Sequence, residues 1–262
     1  MSAMQCLMFL EHMEILLLSI IQGVSEFLPV SSTAHLVLVS KIYEFQNQNL
    51  LIDISLHLGS LLAILFFFKD DFINFKKNID LFIKILIATI PLLPFGYYLH
   101  ETGFIHYLRD IKVIAWTTLI FGILIYIADR TKVSKQMYSN FILKYALFIG
   151  FFQVLALIPG VSRAGITITA GRILGFNRTE SSKIAFYLSI PALTAVSVFG
   201  IYNLSKESVE FNILAFIGVL LSFLFSLITI KYFLKFIKKF TLKIFVLYRV
   251  ILAIILFSII YL

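Results

Sequence analysis

The chain has 262 residues, of which 60% are hydrophobic and 14% charged, with a mean hydropathy of +0.99. That composition lies outside the soluble range and leaves no stretch for a separate water-soluble domain. A formal charge of +8 does not point to nucleic acid, because lysines at the ends of apolar helices report membrane topology.

The N-terminus has neither the basic flank nor the small-residue cleavage site of a removable signal peptide. Cys6 is the only cysteine, so no disulfide framework or thiolate metal site is available. A bilayer crossing needs roughly 20 apolar residues, and the chain has room for six to eight such segments.

In chain order, the first apolar stretch covers about residues 14–40 and is interrupted at Leu28-Pro29-Val30-Ser31-Ser32. Proline lacks an amide donor and disfavours helix in the residue before it. The run from Glu14 to Phe27 is about 21 Å long as helix, too short to cross, so a helix that enters, breaks and returns is expected. Irregular backbone at that depth needs protein or a water-filled cavity around it.

Crossings are predicted at about 50–68, 80–99 and 112–128, the second kinked by Pro91 and Pro94. A second broken segment, about 141–175, is split at Pro159-Gly160. Crossings at about 181–201, 211–232 and 243–262 complete the chain. The predicted fold is an all-α integral-membrane domain over 1–262, built as two copies of one plan: a re-entrant hairpin followed by three crossings. Repeat one covers about 1–130 and repeat two about 131–262. An odd number of crossings per copy inverts the second relative to the first, as in many transporters.

Charge tests this plan independently. Loops 69–80, 129–140, 176–183 and 231–243 carry 13 Lys and Arg, and loops 41–49, 100–112 and 202–210 carry four. The positive-inside rule puts the rich set in the cytoplasm. Both termini and the opening of the first hairpin then face outward, in a multi-pass membrane protein.

The two breaks hold the chemistry. The first reads Gln22-Gly-Val-Ser-Glu26-Phe-Leu-Pro29-Val-Ser31-Ser32-Thr-Ala-His35, the second Pro159-Gly160-Val-Ser162-Arg163-Ala-Gly-Ile-Thr167. Ionisable side chains inside a bilayer are expensive and mark function. New helices are expected to start near Ser31 or Ser32 and near Ser162, with serine as the favoured cap. Two converging helix N-termini make an anion site, and Arg163 adds a planar fork suited to phosphate oxygens. The expected ligand is a phosphoryl group.

His35 follows Ser32 by three residues, so the two share a helical face. A hydroxyl with a base in reach is an activated nucleophile; spacing leaves Ser32 or His35 as the attacking group. Glu26 shares a face with Gln22 and suits either a divalent cation, Mg²⁺ or Ca²⁺, or general-acid work.

Gly23-Val-Ser-Glu26-Phe-Leu-Pro29-Val-Ser31-Ser32-Thr-Ala-His35-Leu36, with Gln22 before it, resembles the first signature of the undecaprenyl-diphosphatase (bacitracin-resistance) family. Pro159-Gly160-Val-Ser162-Arg163 with Thr167 resembles its second. Leu56-His57-Leu58-Gly59-Ser60 and Tyr187-Leu-Ser-Ile-Pro191 look like family segments too, so the likeness runs through nearly the whole chain. The resemblance implies a membrane enzyme that hydrolyses undecaprenyl pyrophosphate to undecaprenyl phosphate and phosphate on the outward face. It implies divalent-metal dependence, a polyprenyl pyrophosphate substrate among membrane lipids, and reliance on Glu26, Ser32, His35 and Arg163. Ser31, Ser162, Thr167 and Gln22 are the expected substrate-binding residues, and Glu26 the expected metal ligand. Two departures stand out: Gln22 where many members have a second Glu, and Ala164 where Ser is usual.

Blander readings compete at several positions. Ser31 serves equally as a cap or a phosphate contact, and Arg163 also suits neutralising Glu26 across the repeat interface. His57 reads as a packed structural histidine, Lys84 as a snorkelling side chain, and His100, Glu101 and His106 as solvated surface. The rival function is a polyprenyl-phosphate transporter or flippase of the same architecture. A homodimer is compatible with the chain, although no small-xxx-small pattern defines an interface.

Overall fold

The computed structural model describes residues 3–43, 50–204 and 209–261, with side chains omitted at 3–11, 40, 41, 50, 100, 105, 106, 138, 199–204, 209 and 210. Loops 41–49 and 202–210, and the side chains of His100 and His106, lie wholly or mostly outside the described residues.

The helices in order are α1 (Ala3–Ser25), α2 (Ser32–Tyr43), α3 (Leu50–Phe67), α4 (Lys69–Ile73), α5 (Phe75–Thr89), α6 (Leu92–Glu101) and α7 (Phe104–Leu108). They continue with α8 (Ile111–Ala128), α9 (Met137–Asn140), α10 (Leu143–Val154), α11 (Arg163–Ile173), α12 (Arg178–Leu204), α13 (Val209–Ile237) and α14 (Lys243–Tyr261). Five described helical segments are long and apolar enough to cross a membrane: Phe75–Leu99, Ile111–Ala128, Arg178–Val198, Phe211–Ile237 and Lys243–Tyr261. The fold is all-helical, as a multi-pass membrane protein requires, since helix satisfies every backbone group within the segment.

Both predicted breaks are present. α1 ends at Ser25 and α2 starts at Ser32; α10 runs into a 3₁₀ turn at Leu155–Leu157 before α11 starts at Arg163. The helix break at Ile90-Pro91, between α5 and α6, is the expected kink, and Pro94 sits in the first turn of α6, where its missing amide costs nothing.

One expectation is corrected. The entering helix of the first hairpin begins at Ala3, not near Glu14, and its 23 residues span about 35 Å. Its apolar part is only His12–Ser25; the apolar pattern missed the first turns because Gln5, Glu11, His12 and Glu14 interrupt it.

α13 lies along α3 and α1, α14 along α8, and α12 along α3 and α11, with α10 against α5 and α11. Small residues permit the closest approaches, the usual device where lipid gives no hydrophobic drive between helices. A Cβ on Gly23 of α1 would lie 2.5 Å from the Phe225 Cβ of α13, and one on Gly150 of α10 would lie 2.1 Å from the Ala88 carbonyl oxygen of α5. Phe27, fully buried, anchors the first break in the core with its ring 5.2 Å from that of Phe186, edge to face.

The lysine-rich loops gather at one end. The Met137 amide donates to Glu180, the Leu242 amide to Asp129, and the Tyr187 hydroxyl to Asp71. Residues from 129–140, 176–183 and 231–243 line one polar cavity there.

Candidate active site

The two breaks meet. The backbone of Ser31 and Ser162 is left-handed, with φ of 76° and 70°, and among the described residues these are the only non-glycine positions so built. Such a conformation is strained for an L-residue and tends to mark functional sites. Each serine immediately precedes the first residue of a helix, so the N-termini of α2 and α11 open side by side. Ser162 caps α11 by accepting from the Gly165 amide at 3.1 Å, and its hydroxyl reaches the Leu28 carbonyl of the other break at 3.5 Å.

Glu26, 6% exposed, is the hub. Arg163 Nη2 donates to its Oε1 at 2.6 Å, while the Ser32 hydroxyl donates to Oε2 at 2.6 Å and Gln22 Nε2 at 2.9 Å. His57 Nδ1 lies 3.5 Å from Oε2 and 2.6 Å from Gln22 Nε2.

Glu26, Ser32, His57 and Arg163 line a cavity of about 220 Å³, together with Ser31, Thr33, Arg109 and Ser162, and apolar walls from Leu92, Ala156, Leu157, Ile158, Ala192, Leu193 and Val196. Arg163 Nη1 is buried and without a hydrogen-bond partner. Arg109, half-buried, has no partner among the described residues. With one carboxylate against two guanidinium groups, the cavity is electropositive and has donors to spare. It is built to take an anion.

Most of the predicted residues come together. Glu26, Ser32 and Arg163 are in direct contact, Ser31 and Ser162 line the cavity, and Gln22 sits behind Glu26. Thr167 does not reach the cavity: fully buried, it turns its hydroxyl back to the Arg163 and Ala164 carbonyls of its own helix.

His35 departs from expectation more sharply. Its Nδ1 is bonded to the Ser31 carbonyl at 2.6 Å and its Nε2 to the Tyr248 hydroxyl of α14. A carbonyl only accepts, so Nδ1 carries the proton and the Nε2 lone pair of neutral His35 is taken by Tyr248. The ring faces a separate, almost wholly apolar cavity of about 430 Å³ bounded by Ile20, Val24, Leu28, Phe236, Ile244 and Phe245. Three-residue spacing does put Ser32 and His35 on one side of α2, but their side chains then diverge, Ser32 to Glu26 and His35 to α14.

His57, read from sequence as structural packing, is instead a cavity residue. Its signal was weak, one histidine within an apolar crossing. Arg109 was unmarked, because a lone arginine near a helix start looks like solvated surface.

A model of the bacitracin resistance protein family, BacA, matches residues 15–255. The chain belongs to the bacitracin resistance protein family. Among curated relatives, the undecaprenyl-diphosphatase of Pelagibacter ubique is 53% identical over 255 residues, covering 97% of this chain and all of that one. Those of Saccharophagus degradans and of a Jannaschia species are 38% and 37% identical, covering 93% and 94% of this chain and 96% and 97% of theirs. The BacA-family match spans both breaks and all the residues gathered around Glu26.

Proposed function

We propose that this protein is an integral-membrane phosphatase that hydrolyses undecaprenyl pyrophosphate to undecaprenyl phosphate and phosphate, recycling the carrier lipid for cell-wall synthesis. The names of its full-length relatives support the reaction. The geometry that carries it is a serine hydroxyl already donating to a carboxylate, beside an arginine with a buried, unpartnered nitrogen.

In this reading the terminal phosphate enters between the N-termini of α2 and α11. Arg163 and the first helix amides hold its oxygens and the charge that grows on them in the transition state. Ser32 Oγ attacks the terminal phosphorus and the bond to the bridging oxygen breaks. Lipid monophosphate leaves with that oxygen, and the serine proton passes to Glu26. Water then attacks the phosphoserine as Glu26 returns its proton to Ser32 Oγ, and phosphate leaves with the oxygen and hydrogens of the water. A transporter needs the positive charge but not the hydroxyl-to-carboxylate pairing.

A divalent cation, Mg²⁺ or Ca²⁺, is part of the proposal. Glu26 is the only carboxylate lining the cavity, and no group of three His, Cys, Asp or Glu occurs among the described residues. Glu26 would therefore be its one protein carboxylate, with phosphate oxygens and water completing the shell, a mode Mg²⁺ favours. When bound it neutralises phosphate charge.

We read the architecture as two inverted repeats. Their support is the matched packing of α1 on α13 with α10 on α5, and the pairing of α3 with α12 and of α8 with α14. We place the lysine-rich end in the cytoplasm of a bacterial plasma membrane. The cavity then opens outward, as its lining by Arg109 from the lysine-poor loop supports.

The test is phosphate release from a polyprenyl pyrophosphate by purified protein, with Mg²⁺ or Ca²⁺ and then with chelator, and acid-quenched trapping of label from the terminal phosphate. The expected result is metal-dependent release with label on Ser32, lost in Ser32→Ala. Label on a histidine would remove Ser32 as nucleophile. Absence of release from folded, lipid-binding protein, with lipid phosphate moved across liposomes, would replace the phosphatase by a carrier.

A further inference from the structure

Arg249 lies within α14 and is fully buried, yet it pairs with no carboxylate among the described residues. All its bonds go to backbone carbonyls. Nε donates to Thr118 of α8 at 3.1 Å; Nη1 to Pro29 at 3.2 Å and to Val161 at 3.1 Å; and Nη2 to Gly160 at 2.5 Å. A buried cation without a counter-charge is expensive, and natural sequences keep one only where it does something.

The places it grips are matched. Pro29 stands two residues before Ser31, and Gly160 two residues before Ser162, the two serines with left-handed backbone. One planar guanidinium therefore holds the same point of both breaks and ties them to α8. Two glycines make room for it: a Cβ on Gly122 would lie 3.2 Å from the Arg249 Cβ, and one on Gly165 would lie 3.2 Å from its Nη1. Arg249 does not line the cavity.

We infer that Arg249 is the positioning residue of the site, an internal clamp that sets the spacing and orientation of the α2 and α11 N-termini. Arg163 then meets Glu26, and the two sets of helix amides face one phosphate. A guanidinium suits this because its rigid fork reaches several acceptors at once, which a lysine ammonium cannot reproduce. This inference rests on the phosphatase reading for its kinetic consequence but not for its geometry.

The experiment combines kinetics with a distance. Nitroxides at Thr33→Cys and Ile158→Cys, in a Cys6→Ala background, report the separation of the two breaks across the cavity. Arg249→Lys, which keeps the charge, is expected to lower kcat by about 100-fold with KM within about threefold, since misplaced groups lose rate before binding. The distance distribution should broaden. Gly122→Ala, which crowds the Arg249 stem and touches neither break, should lower kcat by about fivefold and broaden the distribution less, and it serves if Arg249→Lys does not fold. Near-normal kcat in Arg249→Lys, or lost kcat with an unchanged distance distribution, overturns the clamp. Kinetics are measured on unlabelled protein that keeps Thr33 and Ile158; if that protein binds lipid but releases no phosphate, the phosphatase reading fails, and the distances alone decide the clamp.

Discussion

The molecule buries two carboxylates against arginine, one at each of two polar cavities, and surrounds them differently. At the lysine-rich end, Asp129 accepts from Arg178 Nε at 2.6 Å and Nη2 at 3.1 Å, and from the Leu242 amide at 3.3 Å. Arg172 donates to the Phe176, Asp129 and Thr131 carbonyls, and its Nε lies 3.5 Å from Asp129 Oδ1, an ion pair without hydrogen-bond alignment. Arg172 Nε, like Arg163 Nη1, is buried without a hydrogen-bond partner, but it lies against a carboxylate. At the other cavity Arg163 uses one nitrogen on Glu26 and leaves another buried and unpartnered. The Asp129 network spends its bonds joining three loops, through backbone groups of 129–131, 176 and 242. The Glu26 network instead bonds side chain to side chain, Arg163, Ser32 and Gln22 all on one carboxylate, at the wall of the cavity between the breaks.

The sharpest way to break this contrast is to neutralise each carboxylate. Glu26→Gln keeps shape but removes the acceptor that takes the Ser32 proton, and turnover should fall by about 10³-fold with little change in the thermal midpoint of the purified protein. Asp129→Ala should do the reverse. It strands two arginines and should cost about 3–5 kcal/mol of stability, read as a lowered midpoint, while turnover per folded molecule stays near normal. If Asp129→Ala abolishes turnover in protein that remains folded, the division between structural and functional networks is wrong.

His35 allows a finer test. If its task is to hold the Ser31 carbonyl through Nδ1, His35→Ala should lose about 10–100-fold in turnover. His35→Asn, whose amide can donate from a similar place, should recover most of it. Equal loss in both would return His35 to the chemistry. The smallest effect is expected at Arg109: Arg109→Ala should raise KM for the pyrophosphate lipid by about threefold and weaken its salt dependence, because a half-exposed charge is screened. An unchanged KM in both low and high salt would remove Arg109 from substrate binding.

Much of the site was legible because bilayer physics makes certain residues conspicuous. Pro29 and Pro159 break apolar runs, and Glu26 and Arg163 are costly where they stand, so each was visible without a structure. Arg249 met the same criterion, an arginine inside a 19-residue apolar helix, yet it lay outside both motifs. His57 was ambiguous because one imidazole among leucines is as often packing as chemistry. Thr167 and His35 lie off the cavity for a shared reason: spacing fixes the side of a helix but not the rotamer. A hydroxyl beside its own helix carbonyls, or an imidazole beside a free carbonyl and a tyrosine, settles there.

Local sequence determined the helical segments, the two breaks, the clustering of cations toward one end and the residue types fit for phosphate. These follow from the period of the helix, the missing amide of proline and the cost of charge in hydrocarbon, all of which act within a few turns. Tertiary structure alone decided that Glu26 meets Arg163 across 137 residues, that His57 rather than His35 faces the cavity, and that Arg249 grips both breaks. Those outcomes depend on how eight apolar helical segments pack, and that packing is set by steric fit at small residues such as Gly23 and Gly150, which no local pattern encodes.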